Sequence, residues 1–260
     1  MTFPFIRHTP SVPVKPLIGV LCCNEMAERP IQAVASRFIE PLSRISGATV
    51  LLVPALPDTL DAAVLARRLD GLLLTGSRSN VAGARYGCTS DDARTDLQRD
   101  EVALALSSAM IENGRPVFGI CRGLQELNVL FGGTLTCAPG HQRAEVPFEA
   151  LFEHEHLVTL EPGGLLAAST GLRRLTVNSV HEQGVDRLGA GLQVEAIADD
   201  GLIEAFSANP CGRPVLAVQW HPEWNADTRP ESRAFFDLIG TALHMGGEPD
   251  ILRTNARTER

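Results

Sequence analysis

Cys121 stands in Gly119-Ile120-Cys121-Arg122-Gly123-Leu124-Gln125, directly after the apolar run Pro116-Val117-Phe118 and directly before the helically spaced Leu124 to Leu130. A thiol at the point where a strand hands over to a helix through a sharp turn is placed for nucleophilic attack. Glycines two residues to either side suit such a turn, because strained backbone angles and close strand-to-helix packing leave little room for a β-carbon. The helix amino terminus favours a thiolate there, and unpaired N–H groups of the turn can receive an oxyanion. A nucleophilic thiol also needs a base to take its proton and a group to orient that base. Trp220-His221-Pro222-Glu223 follows the apolar run Val215 to Gln219 and offers both. His221 would be the base, and Pro222 fixes the backbone so that Glu223 can turn back, hold the imidazole tautomer and stabilise imidazolium. Each piece has a plainer reading, an inert buried thiol for Cys121 and a loop fragment for His-Pro-Glu. The combination, with each piece at the end of a core strand, favours a catalytic site.

The elements that must position these groups can be read from periodicity. Leu17 to Cys22 is a strand buried on both faces, and the spacing of Ile31, Val34, Ala35, Phe38 and Leu42 predicts a helix over 31–45, broken or kinked at Pro41. Val50 to Val53 is the second strand, 59–69 a helix capped by Asp58 or Thr59, and 70–74 the third strand. A helix over 96–113 ends at Asn113-Gly114, and 116–120 is the fourth strand. After Phe131-Gly132-Gly133 the pattern changes to short alternating segments at 156–160, 175–180 and 192–196, with 203–206 pairing with the last of these across Asp199-Asp200-Gly201. A further apolar strand at 215–220 and a closing helix over 232–244 complete the chain. The order predicts an α/β fold with a mostly parallel central sheet, helices on both faces and a small antiparallel extension. Residues 1–16 form an N-terminal extension, 17–245 a single domain and 246–260 a polar tail. Cys121 and His221 both fall at the carboxyl ends of strands, where open parallel sheets present functional groups, so the fold can join them despite their distance in sequence.

Composition removes several function classes. The chain has 260 residues and a formal net charge of −8, and its positive charges are scattered without a basic stripe, which argues against nucleic-acid or anionic-membrane binding. It contains no apolar stretch of membrane-spanning length, and Met1 to Pro16 lacks the apolar core of a signal peptide, so we expect a soluble, cytoplasmic protein. Six cysteines without a CxxC pair or regular spacing suggest neither a disulfide framework nor a zinc site. His154-Glu155-His156 beside Glu153 invites a metal reading, but no third ligand follows at zinc-like spacing, and no metal is expected. The acidic and arginine pairs from Asp91 to Glu101 read as a capped, charged start of a helix.

The run Gly119 to Asn128, together with Val218-Gln-Trp-His-Pro-Glu-Trp224, resembles the class I glutamine amidotransferase superfamily. Within it the chain is most similar to the γ-glutamyl-γ-aminobutyrate hydrolase branch of the peptidase C26 enzymes. The resemblance runs from about Ile18 to Ile239 and includes Leu74 to Val81 and Val177 to Gly184. It implies a flavodoxin-like three-layer sandwich with Cys121 as nucleophile, His221 as general acid/base and Glu223 as the orienting carboxylate. It also implies an oxyanion hole from the backbone of Gly76, Ser77 and Arg122, a γ-glutamyl head held by Gln125, and a pocket lined by Asn178, Ser179, His181 and Gln183, with Asn80 among the substrate-binding residues. Read without the resemblance, Gly76 is a tight turn, Gln125 a helix-surface hydrogen bond and 178–183 a solvated strand edge, while His181 competes with His221 as the base. The implied reaction is hydrolysis of a γ-glutamyl amide through a thioester, with no cofactor, and the favoured substrate is the γ-glutamyl-γ-aminobutyrate of putrescine catabolism. Arg122 would suit an acidic substrate tail, and it stands where ammonia-donating amidotransferases carry an apolar or aromatic residue. A glutaminase subunit serving a partner synthase, and a non-catalytic binding domain, are the alternatives. The leaving amine, a homodimer, and the roles of residues 82–92 and 139–155 stay open.

Overall fold

Leu17–Leu21 (β1), Thr49–Val53 (β4), Gly71–Leu74 (β5), Val117–Ile120 (β6) and Val215–Val218 (β13) lie parallel in the order β4-β1-β5-β6-β13. This is seen in a computed structural model that describes residues 14–89, 94–137, 150 and 152–245. The N-terminal extension up to residue 13, the tail from 246 and most of 139–155 lie outside the described residues. β5, β6 and β13 are buried at every position, as strands covered on both faces must be. Side chains alternate between the two faces. Leu72 and Leu74 of β5 pack in one cluster with Val102, Leu106, Leu124 and Leu127, whereas Leu73 joins Phe38, Phe118, Phe235 and Phe236 in the other.

Those two layers are supplied by Ser36–Arg44 (α1) and Pro230–His244 (α6) on one face, and by Ala62–Arg68 (α2), Leu97–Glu112 (α3) and Arg122–Leu130 (α4) on the other. α2 is shorter than its apolar spacing suggests. Its cap is Asp61, which accepts from the Val64 N–H at 2.9 Å, while Pro57–Thr59 is a separate 3-10 turn. α3 is capped by Asp96 and closes at Asn113-Gly114, with Gly114 at φ +63°.

Beyond the parallel strands the extension is as large as the parallel part. Ile203–Ala208 (β12) runs antiparallel to β13, followed by Gln193–Ala198 (β11), Glu155–Leu160 (β8) and Arg174–Asn178 (β9). Gln183–Arg187 (β10) and Thr134–Cys137 (β7) join the same sheet, and Leu165–Thr170 (α5) packs on α6. The expected β11–β12 pairing is present. The expected helix over 31–45 forms only from Ser36 and runs through Pro41 as α1, while Cys23–Met26 (β2) and Pro30–Ala33 (β3) make a two-stranded hairpin. Of the residues whose spacing looked helical, Phe38 and Leu42 do lie in α1, whereas Ile31 belongs to the hairpin and Val34 and Ala35 to the link after it, and these three line a cavity. Among the described residues no helix is long and apolar enough to cross a membrane.

Candidate active site

Cys121 sits between β6 and α4 with φ 53° and ψ −105°, one of two non-glycine residues with positive φ among the described residues. The surroundings enforce this conformation. The Cys121 N–H donates to Val218 O at 2.8 Å, and the Cys121 carbonyl accepts from Leu124 N–H at 3.0 Å. The flanking glycines are steric requirements: a β-carbon on Gly119 would lie 2.6 Å from the Gly123 carbonyl carbon, and one on Gly123 would lie 2.3 Å from Leu74 O. Strand and helix therefore approach closely enough to bring the thiol to the sheet edge at the first turn of α4.

β13 neighbours β6 with Val218 opposite Ile120, so the segment carrying His221 leaves the sheet beside Cys121. His221 is 6 % exposed, and its Nδ1 is 2.6 Å from Oε1 of Glu223, which sits in a 3-10 turn behind Pro222. The ring lies beside the Cys121 side chain, close enough for the two to act on each other's charge. Burial opposes its protonation, but the charges of Glu223 and Cys121 and the hydrogen bond to Glu223 outweigh this, and His221 is pushed up from 6.5 to about 10. On the other side of β6, Leu74 of β5 pairs with Gly119, and the following turn brings Gly76 against both groups. A β-carbon on Gly76 would lie 2.7 Å from His221 Cε1 and 3.4 Å from Cys121 Cβ.

A cavity of about 960 Å³ opens over these strand ends. Cys121, His221, Gln125, Gly76, Ser77, Asn80 and His181 all border it, as do the hairpin residues Met26, Ile31 and Ala33. Ser77 Oγ is 3.0 Å from Ser79 Oγ, and Asn80 donates to Glu182 Oε2 at 3.1 Å. Gln125 uses its amide nitrogen internally, on Gln183 O at 2.7 Å and Gln219 Oε1 at 3.2 Å.

Two residues read as pocket-lining do different work. Asn178 clamps the backbone of His221, donating to its carbonyl at 3.0 Å and accepting from its N–H at 2.8 Å. Ser179 is buried, with its N–H on His154 O at 2.9 Å. His181 has a carboxylate of its own, Glu204 Oε1 at 3.3 Å, and its Nδ1 lies 3.0 Å from Gln183 O. An adjacent carboxylate therefore does not separate the two histidines; the packing of Gly76 against His221 and Cys121 together does.

Three neighbours of the dyad went unread in the sequence. Phe152 meets the His221 ring edge-on at 5.2 Å and stacks on Trp224 at 3.8 Å, and Arg37 covers Trp224 at 4.4 Å with its Nε 3.8 Å from Glu223 Oε1. Trp224 lay within the quoted motif. Arg37 and Phe152 belong to segments with no local signature and are recruited by tertiary contacts, ring stacking for Phe152 and both ring and carboxylate for Arg37.

Arg122 departs from expectation. It borders the cavity but is 1 % exposed, and its guanidinium is held by Glu126 one helical turn on and by Asp100 at 2.6 Å. Its charge is neutralised internally, so the side chain is not placed to receive an acidic substrate tail. Arg99 and Asp100, read in the sequence as part of a capped, charged helix start, are likewise fully buried. Replacing Arg122 with leucine leaves two buried carboxylates short of a partner, and the expected result is a loss of about 3–5 kcal/mol in stability by urea unfolding, with preference among acidic and neutral substrates unchanged.

The peptidase C26 family matches residues 16–223. A protein of Escherichia coli O157:H7 named γ-glutamyl-γ-aminobutyrate hydrolase is 37 % identical over 238 residues, covering 87 % of this chain and 93 % of that protein. A Schizosaccharomyces pombe relative with the provisional name glutamine amidotransferase is 32 % identical, covering 78 % of this chain and 79 % of its own length. Among solved structures, a Thermoplasma acidophilum protein provisionally named as a GMP synthase subunit superposes with a TM-score of 0.61 at 18 % identity, covering 90 % of this chain and all of that one, a likeness of fold. With Cys121 at a strained strand-to-helix turn against a buried His221–Glu223 pair, and with the family match spanning most of its length, the chain belongs to the peptidase C26 family.

Proposed function

We propose that the protein hydrolyses the γ-glutamyl amide bond of a γ-glutamyl amine, with γ-glutamyl-γ-aminobutyrate as the favoured substrate. The observation that carries the reading is the placement of the His221–Glu223 pair beside Cys121 at the wall of a cavity large enough for such a ligand. The names of the relatives supply the substrate class. Cys121 attacks the γ-carbonyl carbon as a thiolate, forming the C–S bond and moving the carbonyl electron pair to oxygen. Backbone N–H groups of the Gly76–Ser77 turn and of Arg122, the first residue of α4, receive that oxyanion. Collapse of the intermediate expels the amine, which takes its proton from the His221 imidazolium and leaves a γ-glutamyl thioester. Neutral His221 then removes a proton from water as it attacks the thioester, and glutamate departs with the sulfur returned to thiolate. Glu223 holds Nδ1 throughout, and Asn178 fixes the backbone of His221. Gln125, with its nitrogen engaged, offers its carbonyl oxygen to the α-ammonium of the glutamyl head.

The test is glutamate release from a panel of γ-glutamyl amines assayed beside free glutamine. The expected result is kcat/KM for γ-glutamyl-γ-aminobutyrate at least about tenfold above that for glutamine. Equal or better turnover of glutamine would replace this reading with a glutaminase.

A further inference from the structure

We propose that Arg99 is a positioning residue that aims the oxyanion-binding N–H groups of the Thr75–Ser77 turn, an inference resting on the hydrolase reading above. Arg99 is completely buried. Its Nη2 donates to the Thr75 carbonyl, and its Nη1 reaches Thr75 Oγ1 at 3.4 Å and Cys23 Sγ at 2.8 Å. Cys23 passes the constraint on, with its thiol donating to the Gly76 carbonyl at 3.5 Å.

A trans peptide unit is planar, with its N–H directed opposite to its C=O. Holding the Thr75 carbonyl on Arg99 therefore turns the Gly76 N–H away from Arg99, and holding the Gly76 carbonyl on Cys23 sets the Ser77 N–H in the same manner. Thr75, Gly76 and Ser77 all border the cavity, and Gly76 packs against Cys121 and His221. Two internal donors thus decide the orientation of two successive N–H groups beside the nucleophile.

The same guanidinium ties this turn to the other half of the proposed oxyanion hole. Arg99 Nε is 3.0 Å from Glu126 Oε1, and Nη2 is 3.3 Å from Oε2. Glu126 lies on α4 and grips the side chain of Arg122, whose own N–H opens that helix beside Cys121; Arg122 is also held by Asp100, next to Arg99 on α3. Two arginines and two carboxylates, each no more than 1 % exposed, form a neutral buried cluster joining α3, α4 and the turn after β5. A binding surface made of backbone groups has no side chains by which to correct its own aim, and pre-set dipoles are what such a surface contributes to catalysis.

The experiment compares two reactions of Cys121 in Arg99→Lys, which keeps the charge but cannot bridge Glu126 and Thr75 at once. Hydrolysis of γ-glutamyl-γ-aminobutyrate passes through an oxyanion. Alkylation by iodoacetamide is a direct displacement in which sulfur bonds to carbon and iodide leaves, with no oxyanion. The expected result is a kcat reduced about tenfold to a hundredfold with KM within about twofold, while the alkylation rate of the Cys121 peptide, followed by mass spectrometry, stays within about twofold. The double variant Arg99→Met, Glu126→Gln removes one charge of each sign, leaves Arg122 paired with Asp100, and should show the same split. Near-wild-type kcat in a folded variant of either kind, or alkylation falling in step with hydrolysis, overturns the proposal. If the unmodified enzyme releases no glutamate from any γ-glutamyl amine, the functional reading falls and takes this one with it; undiminished turnover in Arg99→Lys alone removes only the role of Arg99.

Discussion

Cys121→Ala is expected to abolish glutamate release while the chain stays folded, and Cys121→Gly is expected to be equally inactive but measurably more stable than Cys121→Ala. The first half follows from the chemistry: without sulfur no thioester forms, and loss of a nucleophile in comparable hydrolases costs on the order of 10⁶ in kcat. The second half follows from the backbone. At φ 53° and ψ −105° any β-carbon is strained, alanine's no less than cysteine's, and such conformations cost about 1–3 kcal/mol. Glycine releases that strain, against which stands the roughly 0.5–1 kcal/mol it loses in additional freedom of the unfolded chain. The glycine variant should therefore exceed the alanine variant by about 1 kcal/mol, read from urea midpoints at constant m. Since both lack the thiol, their difference isolates the turn. Equal midpoints would mean that the turn stores no strain, and turnover by either variant would remove Cys121 from the mechanism.

The proposed nucleophile, base and carboxylate were legible in the sequence because each sits in a local pattern set by a local constraint. Gly119 and Gly123 are demanded by contacts of the elbow with itself and with Leu74, and Pro222 fixes the chain between His221 and Glu223. That β6 and β13 are neighbours is a matter of sheet order, which periodicity does not encode, and it is this adjacency that lets two strand ends become one site. Residues 31–35 were misread as helix because Ile31, Val34 and Ala35 are apolar for the cavity and the core beneath it and continue the stripe that Phe38 and Leu42 form in α1; Pro30, at the start of β3, was the contrary signal. The charged start of α3 was legible as a cap through Asp96, but not as a buried cluster. Arg99 and Asp100 take their partners from α4, and nothing in a run of alternating charges distinguishes a solvated face from one that meets a complementary helix. Arg122 failed for the same reason. Its proximity to Cys121 in sequence suggested a substrate contact, whereas helical geometry turns its side chain to Glu126 one turn on.

Glu223→Gln should lower kcat by about 10³–10⁴ with a near-native fold, the scale seen when the orienting acid of a triad becomes an amide. Glutamine keeps the shape and can still accept from Nδ1–H, so geometry is nearly conserved and the change is one of charge. Burial is the largest influence on His221 and it opposes protonation; the Glu223 carboxylate is the first of the forces that outweigh it. With that carboxylate gone, the imidazolium at neutral pH loses its main support, the thiolate loses its counter-charge, and the proton that the departing amine requires is no longer at hand. Alkylation of Cys121 at pH 7 should then slow by about tenfold or more, in contrast to its persistence in Arg99→Lys. Stability carries the same signature. Because His221 titrates near 10 when folded and near 6.5 when not, its contribution is fully present below about pH 6.5 and fades as the pH rises toward 10. Urea midpoints measured from pH 6 to 10 should decline in the unmodified enzyme through this window and decline less in Glu223→Gln. A variant whose pH profile matches that of the unmodified enzyme, with kcat within a few fold, would show that Glu223 neither charges nor orients His221, and the base would then have to be sought at His181, which has Glu204 beside it.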